Sequence, residues 1–69
     1  MEVRWVDGYE IRVSIQNDEA VICANREGLL SLAMQMMDLA EKTAGEHIHY
    51  DEFNSLAEGS AQLIIEKTE

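Results

Sequence analysis

The sequence predicts an α+β fold: a small, mostly antiparallel sheet in the order β-β-β-α-β-β, with one long helix packed on one face. Three stretches predict it. Between Asn25 and Gly45, Leu29, Leu32, Ala33, Met36, Leu39 and Ala40 recur at the three-and-four spacing of one helix face. From Tyr9 to Ile15, apolar and polar residues alternate without a break, which is the period of a half-buried strand. The apolar run Ala61-Gln62-Leu63-Ile64-Ile65-Glu66 supplies a closing strand after the helix. The 69 residues show no repeat and no low-complexity segment, so a single domain spans 1–69.

Met1 to Trp5 reads as the first strand, with Val3 and Trp5 on one parity and Asp7-Gly8 in the turn that follows. A two-residue loop there would set Arg4 opposite Ile11 and drive a charge into the core. A three-residue loop is therefore expected, with Trp5 beside Tyr9, Val3 beside Ile11 and Gly8 left-handed. Asn17-Asp18 is the next turn. Pairing Gln16 with Glu19 then sets Ala20, Ile22 and Ala24 beside Ile15, Val13 and Ile11, on the face expected to receive the helix. Val21 and Cys23 fall on the far face, opposite Ser14 and Arg12.

Asn25 suits a helix cap and Gly45 a left-handed stop. The rod between them is about 19 residues and ~28 Å long. Leu30, Met34 and Met37 widen its apolar face beyond what a surface helix needs. Met34, Met36 and Met37 read most simply as packing at the core and helix edge, and alternatively as an adaptable contact surface. Gly28 inside the first turn costs helix stability, which points to a close backbone approach. The free amides of that end could draw an anion, but Glu27 opposes Arg26, and ordinary capping accounts for the pattern.

Glu46 to Tyr50 reads as a short strand, with Ile48 and Tyr50 on one face and His47, His49 and Asp51 on the other. The connection from Asp51 to Gly59 carries Phe53 and Leu56 under the core. Ser60 to Lys67 closes the chain, with Leu63 and Ile65 inward and Ile64 joining Val21 and Cys23 outside.

Charge is the strongest compositional signal. Fourteen Asp and Glu against five Lys and Arg leave a net of −9. Nucleic acid and anionic membranes need clustered cations, so neither is an expected partner. A basic protein is a partner this charge would attract, although solubility alone is the plainer explanation. No apolar run approaches the ~18 residues of a membrane span, and no basic-then-apolar leader is present. Cys23 stands alone, which excludes an internal disulfide and favours a reducing, cytoplasmic setting. A core this small is marginal, so a homodimer through the Val21, Cys23 and Ile64 face is an alternative expectation.

The best chemical candidate is His47-Ile48-His49 with Asp51. On a strand these side chains project from one face, His47 and His49 ~7 Å apart at the backbone, a spacing that two imidazoles and a carboxylate can use to share a metal. No second Cys/His cluster offers a fourth ligand, and histidines hydrogen-bonded to their neighbours explain the pattern without an ion. A metal-binding regulator through His47 and His49 therefore stays an alternative, and no cofactor is expected. Cys23 reads as strand packing, and no carboxylate pair has the spacing of an acid–base couple. An enzyme is not expected.

Three motifs in order carry a resemblance: Ala24-Asn25-Arg26-Glu27-Gly28-Leu29, then Gly45-Glu46-His47-Ile48-His49, then Leu56-Ala57-Glu58-Gly59-Ser60. Over residues from about 20 to 67 the chain resembles immunity protein family 32 of bacterial polymorphic toxin systems. Its motif positions here are Asn25, Gly28, Gly45, His47, His49, Glu58, Gly59 and Ser60. The resemblance implies a small cytoplasmic antidote that binds a cognate toxin, catalyses nothing itself, and is able to fill the basic cleft of a nuclease with its carboxylates. The partner-contact residues proposed on this basis are His47, His49, Asp51, Arg12 and Glu10.

Overall fold

A computed structural model describes residues 3–69 of the chain. Five elements follow one another: β1 (Ile11–Gln16), β2 (Glu19–Ala24), α1 (Arg26–Ala40), β3 (His47–Tyr50) and β4 (Leu63–Glu66). The class is α+β, as the periodicities require. β1 pairs with β2 and β3 with β4, both antiparallel. The expected single sheet is thus two two-stranded sheets, and the order is β-β-α-β-β rather than β-β-β-α-β-β.

The β1–β2 register follows from its turn. Asn17 (φ 51°) and Asp18 (φ 65°) are both left-handed, the tight turn whose twist matches a hairpin. It sets Gln16 opposite Glu19, Val13 opposite Ile22 and Ile11 opposite Ala24, as the side-chain pattern demands.

The first predicted strand does not form over the described residues. Residues 3–10 are irregular, and Met1 and Glu2 lie outside the described chain. Gly8 is left-handed (φ +86°) and Trp5 stacks on Tyr9 with ring centroids 4.2 Å apart, both as expected. The loop differs: Tyr9 N–H donates to Val6 O at 3.2 Å, so Asp7 and Gly8 alone form the turn, the two-residue loop rather than the expected three-residue one. The cause lies in the helix. Val6 N–H donates to Ser31 Oγ at 2.8 Å, and Gln35 Nε2 donates to Arg4 O at 2.7 Å. These bonds occupy backbone groups that a strand ladder would need.

Residues 57–61 take the open edge of β1 instead. Ala57 N–H donates to Ile11 O and Ala61 N–H to Val13 O, each at 2.8 Å, while Val13 N–H donates to Ser60 Oγ at 3.2 Å. Between them, left-handed Gly59 (φ +85°) and a bond from Ser60 N–H to Ala57 O lift the chain away, so the contact stops short of a strand. The chain then crosses to β3, and the final strand is Leu63–Glu66 rather than 60–67.

α1 ends at Ala40, not at Gly45, and its fifteen residues make a rod of about 22 Å. Glu41 N–H donates back to Asp38 O at 3.2 Å and Lys42 N–H to Leu39 O at 3.0 Å. Lys67 Nζ donates to Ala40 O (2.7 Å) and Lys42 O (2.6 Å), satisfying carbonyls that a helix end leaves open. Gly45 is left-handed (φ +93°) but belongs to the turn into β3, where its N–H donates to Lys67 O.

The helix is also rotated from the predicted face by roughly a quarter turn. Gly28, Ser31, Leu32, Gln35 and Leu39 are buried, whereas Leu29, Ala33, Met36 and Ala40 are exposed. Two contacts force this. A Cβ on Gly28 would lie 2.6 Å from Glu10 O and 2.9 Å from Ile11 Cγ1, so only glycine lets the first turn sit on β1. Ser31 and Gln35 must face inward to hold residues 4–6.

The core comprises Ile11, Val13, Leu32, Leu39, Ile48, Tyr50 and Leu56, with Trp5, Tyr9, Ala24, Ala61, Leu63 and Ile65 packed against it. Because the helix docks at the Ile11–Ala24 end of the first hairpin, Ile15, Ala20 and Ile22 near its tip stay exposed, contrary to expectation. Ile64 faces outward on β4 while Val21 and Cys23 belong to β2, so the two-sheet split leaves them without the common sheet face predicted for them.

Candidate functional site

β3 alternates as its sequence requires. Ile48 and Tyr50 are buried, and His47 and His49 are exposed on the opposite face. His47 lies opposite Glu66, with Nδ1 3.5 Å from Gly45 O; His49 lies opposite Ile64, with Nε2 3.3 Å from Gln62 Oε1. Asp51 follows the strand, but its Oδ1 accepts from the N–H groups of Phe53 (2.9 Å) and Asn54 (3.0 Å) and so caps a turn. Among the described residues no group of three His, Cys, Asp or Glu side chains is placed to hold a metal ion.

Arg12 and Glu10 belong to the other hairpin side of the molecule. Arg12 is exposed opposite Cys23, and its Nη1 donates to Glu58 O at 3.0 Å. Glu10 is exposed too, and with Arg12, Cys23, Asn25 and Ala57 it lines a shallow open hollow of about 360 Å³. The five candidate contacts therefore form two groups, Glu10 and Arg12 at the start of β1 and His47, His49 and Asp51 along and just after β3.

The remaining motif positions are joints of the fold. Asn25 Oδ1 accepts from Gly28 N–H (2.8 Å) and Glu10 N–H (3.0 Å), while its Nδ2 donates to Gly8 O (2.9 Å). One side chain thus caps the helix and ties it to the start of β1. Gly59 N–H donates to Glu52 Oε2, the Glu58 carbonyl holds Arg12, and the Ser60 hydroxyl holds β1.

Electrostatically the surface is almost uncompensated. Among the described residues, Asp38 is the one carboxylate in an ion pair, a two-toothed contact in which Arg4 Nη2 and Nε approach its oxygens at 2.9 and 3.0 Å. That partnership raises the Arg4 pKa above its ordinary value. Arg12 and Lys67 donate to backbone carbonyls instead. In the interior, burial pushes the Tyr50 hydroxyl up to about 12. This hydroxyl donates to Gln35 Oε1 at 2.6 Å, completing the chain Tyr50–Gln35–Arg4 O.

Sequence reasoning missed Ser31 and Gln35, the two fully buried polar side chains, because it counted apolar residues alone. The signal was present: Gly28, Ser31, Leu32, Gln35 and Leu39 keep the same helical spacing.

Comparison with curated proteins and with solved structures finds no match. The family model for immunity protein 32 matches residues 19–68, from the first residue of β2 to beyond β4. This match takes in most of the 69 residues and all three motifs, and the chain belongs to the immunity protein 32 family.

Proposed function

We propose that the protein is a non-enzymatic, cytoplasmic immunity protein that binds a cognate bacterial toxin through a basic surface of that toxin and neutralises it. Family membership over residues 19–68 carries this reading. The charge supports it. A net of −9, with one carboxylate ion-paired among the described residues, leaves a negative field that draws a basic partner and speeds its encounter. The surface such carboxylates fit best is a cleft built to hold phosphates, as in a nuclease. The exposed side chains of His47 and His49, with Asp51 just after them, and of Arg12 and Glu10 are the contacts we assign to the toxin.

Co-expression with a toxin-bearing polypeptide from a neighbouring gene tests the proposal. Toxin alone should arrest growth, the pair should grow, and a complex of the two should survive purification. Equal killing with and without this protein would overturn the reading.

A further inference from the structure

α1 turns an apolar stripe outward. Leu29, Leu30, Ala33, Met36, Met37 and Ala40 are all exposed, Met37 at 71% and Leu29 at 56%. At about 100° per residue they cover roughly 120° of the helix circumference. That is the width of stripe a helix ordinarily gives to its core. The inward side carries the polar Ser31 and Gln35 beside Leu32 and Leu39, so the helix leaves its wider apolar stripe outside. This orientation is firmly held, by the Gly28 contact and by the bonds of Ser31 and Gln35 to residues 4–6.

The stripe is self-complementary. Ala33 lies near its midpoint, with Leu29 and Leu30 on one side and Met36 and Met37 on the other. Arg26 stands at the N-terminal end and Glu41 just beyond the C-terminal end, both exposed. Two copies crossing antiparallel at Ala33 would set Leu29 and Leu30 against Met37 and Met36 of the second copy, and Arg26 against its Glu41. The same contacts then recur across the two-fold axis.

We propose that the outer face of α1 is the seam of a homodimer, in which two helices pack antiparallel about a two-fold axis at Ala33. A basic toxin would also cover apolar surface, but only a second copy uses a cation and a carboxylate placed reciprocally at the two ends. The small Ala33 lets the helices approach, and the unbranched methionines adapt to the leucines they meet. The remaining helix carboxylates, Glu27 and Asp38, lie off the stripe, and Asp38 is neutralised by Arg4. A domain of 69 residues has a small core of its own, which makes the added burial valuable to its stability. This seam is distinct from the outward faces of β1 and β3, which stay open in the dimer.

Sedimentation equilibrium of the purified full chain tests the seam without any toxin. The wild type should show a concentration-dependent dimer. Ala33→Glu should weaken it on the order of a hundredfold, because a carboxylate would enter an apolar contact. Arg26→Glu and Glu41→Arg should each weaken it about fivefold, and the double reversal R26E/E41R should return to within about twofold of wild type. All three positions are exposed, so thermal melts of the variants followed by circular dichroism should keep one cooperative transition, lowered only by what the lost dimer contributed. A wild type that stays monomeric at every concentration overturns the proposal. So does a dimer indifferent to Ala33→Glu, or a double reversal no better than the single ones.

Discussion

At Gly28, two physical effects of one methyl group oppose each other. Helix propensity alone makes Gly→Ala stabilising by about 1 kcal/mol. Here the added Cβ would lie 2.6 Å from Glu10 O, backbone that cannot step aside without moving β1. Gly28→Ala should therefore destabilise, by about 1–3 kcal/mol, which a thermal melt would read as a drop of about 4–8 °C per kcal/mol. A melting point at or above wild type would show that the helix does not sit as close as described. Tyr50 offers a second test. Tyr50→Phe should cost about 1–2 kcal/mol by leaving Gln35 Oε1 without its donor. It should also change the alkaline limb. The folded state holds the Tyr50 proton up to about 12, whereas the unfolded chain releases it near 10.0. The stability linked to this proton is intact below pH 10 and is lost as pH rises towards 12, and the Phe variant should lack that loss. Asn25 and Gly28 were legible in the sequence because a capping residue and a glycine in a first turn have few other uses. Ser31 and Gln35 were not, because their inward direction is set by backbone partners twenty-five and more residues away.

Among the elements, legibility followed how local the determining contacts are. The β1–β2 register is fixed by its own two-residue turn and by alternation within each strand, and the sequence predicted all of it. The strand before β1 depended instead on whether residues 3–6 would bond to a ladder or to the helix. Side chains of α1 won that competition, and no local pattern announces it. The end of α1 is non-local as well. Gly45 is a plausible stop by its residue type, but the helix unwinds at Ala40, where Lys67 from the far end of the chain reaches the open carbonyls. Lys67→Met keeps the aliphatic stem and removes the donor. It should cost about 0.5–1 kcal/mol, with the earliest effect in the last helical turn. Hydrogen exchange should show faster exchange at the Asp38 to Ala40 amides than in wild type, with β1 and β2 unchanged. Uniform acceleration across the molecule would mean that the lysine does not act as a C-terminal cap.

For the whole molecule, the net charge of −9 acts on two associations in opposite directions. With a basic toxin, the field of the carboxylates is attractive over a distance set by the Debye length, about 10 Å at 0.1 M salt and about 3 Å at 1 M. Adding salt should therefore slow encounter and weaken the complex, chiefly through the association rate. Between two copies of this chain the same field repels, while the α1 seam is mainly apolar and nearly indifferent to screening. Adding salt should strengthen the dimer until the residual attraction between Arg26 and Glu41 is itself screened. The sign of the salt response thus separates the two surfaces within one preparation. This also explains why composition could indicate a class of partner but not a place of contact: net charge is a property of the whole surface. Most of the family motif positions do not supply that place either, since Asn25, Gly28, Gly59 and Ser60 hold the fold together and leave His47 and His49 as the exposed motif side chains of β3. The decisive measurement is the binding of Ala33→Glu to the toxin across a salt series. If α1 is the dimer seam and the strands meet the toxin, this variant should be monomeric, keep the wild-type association rate, and keep its fall with salt. If it loses the toxin along with the dimer, the helix rather than the strands carries the toxin contact.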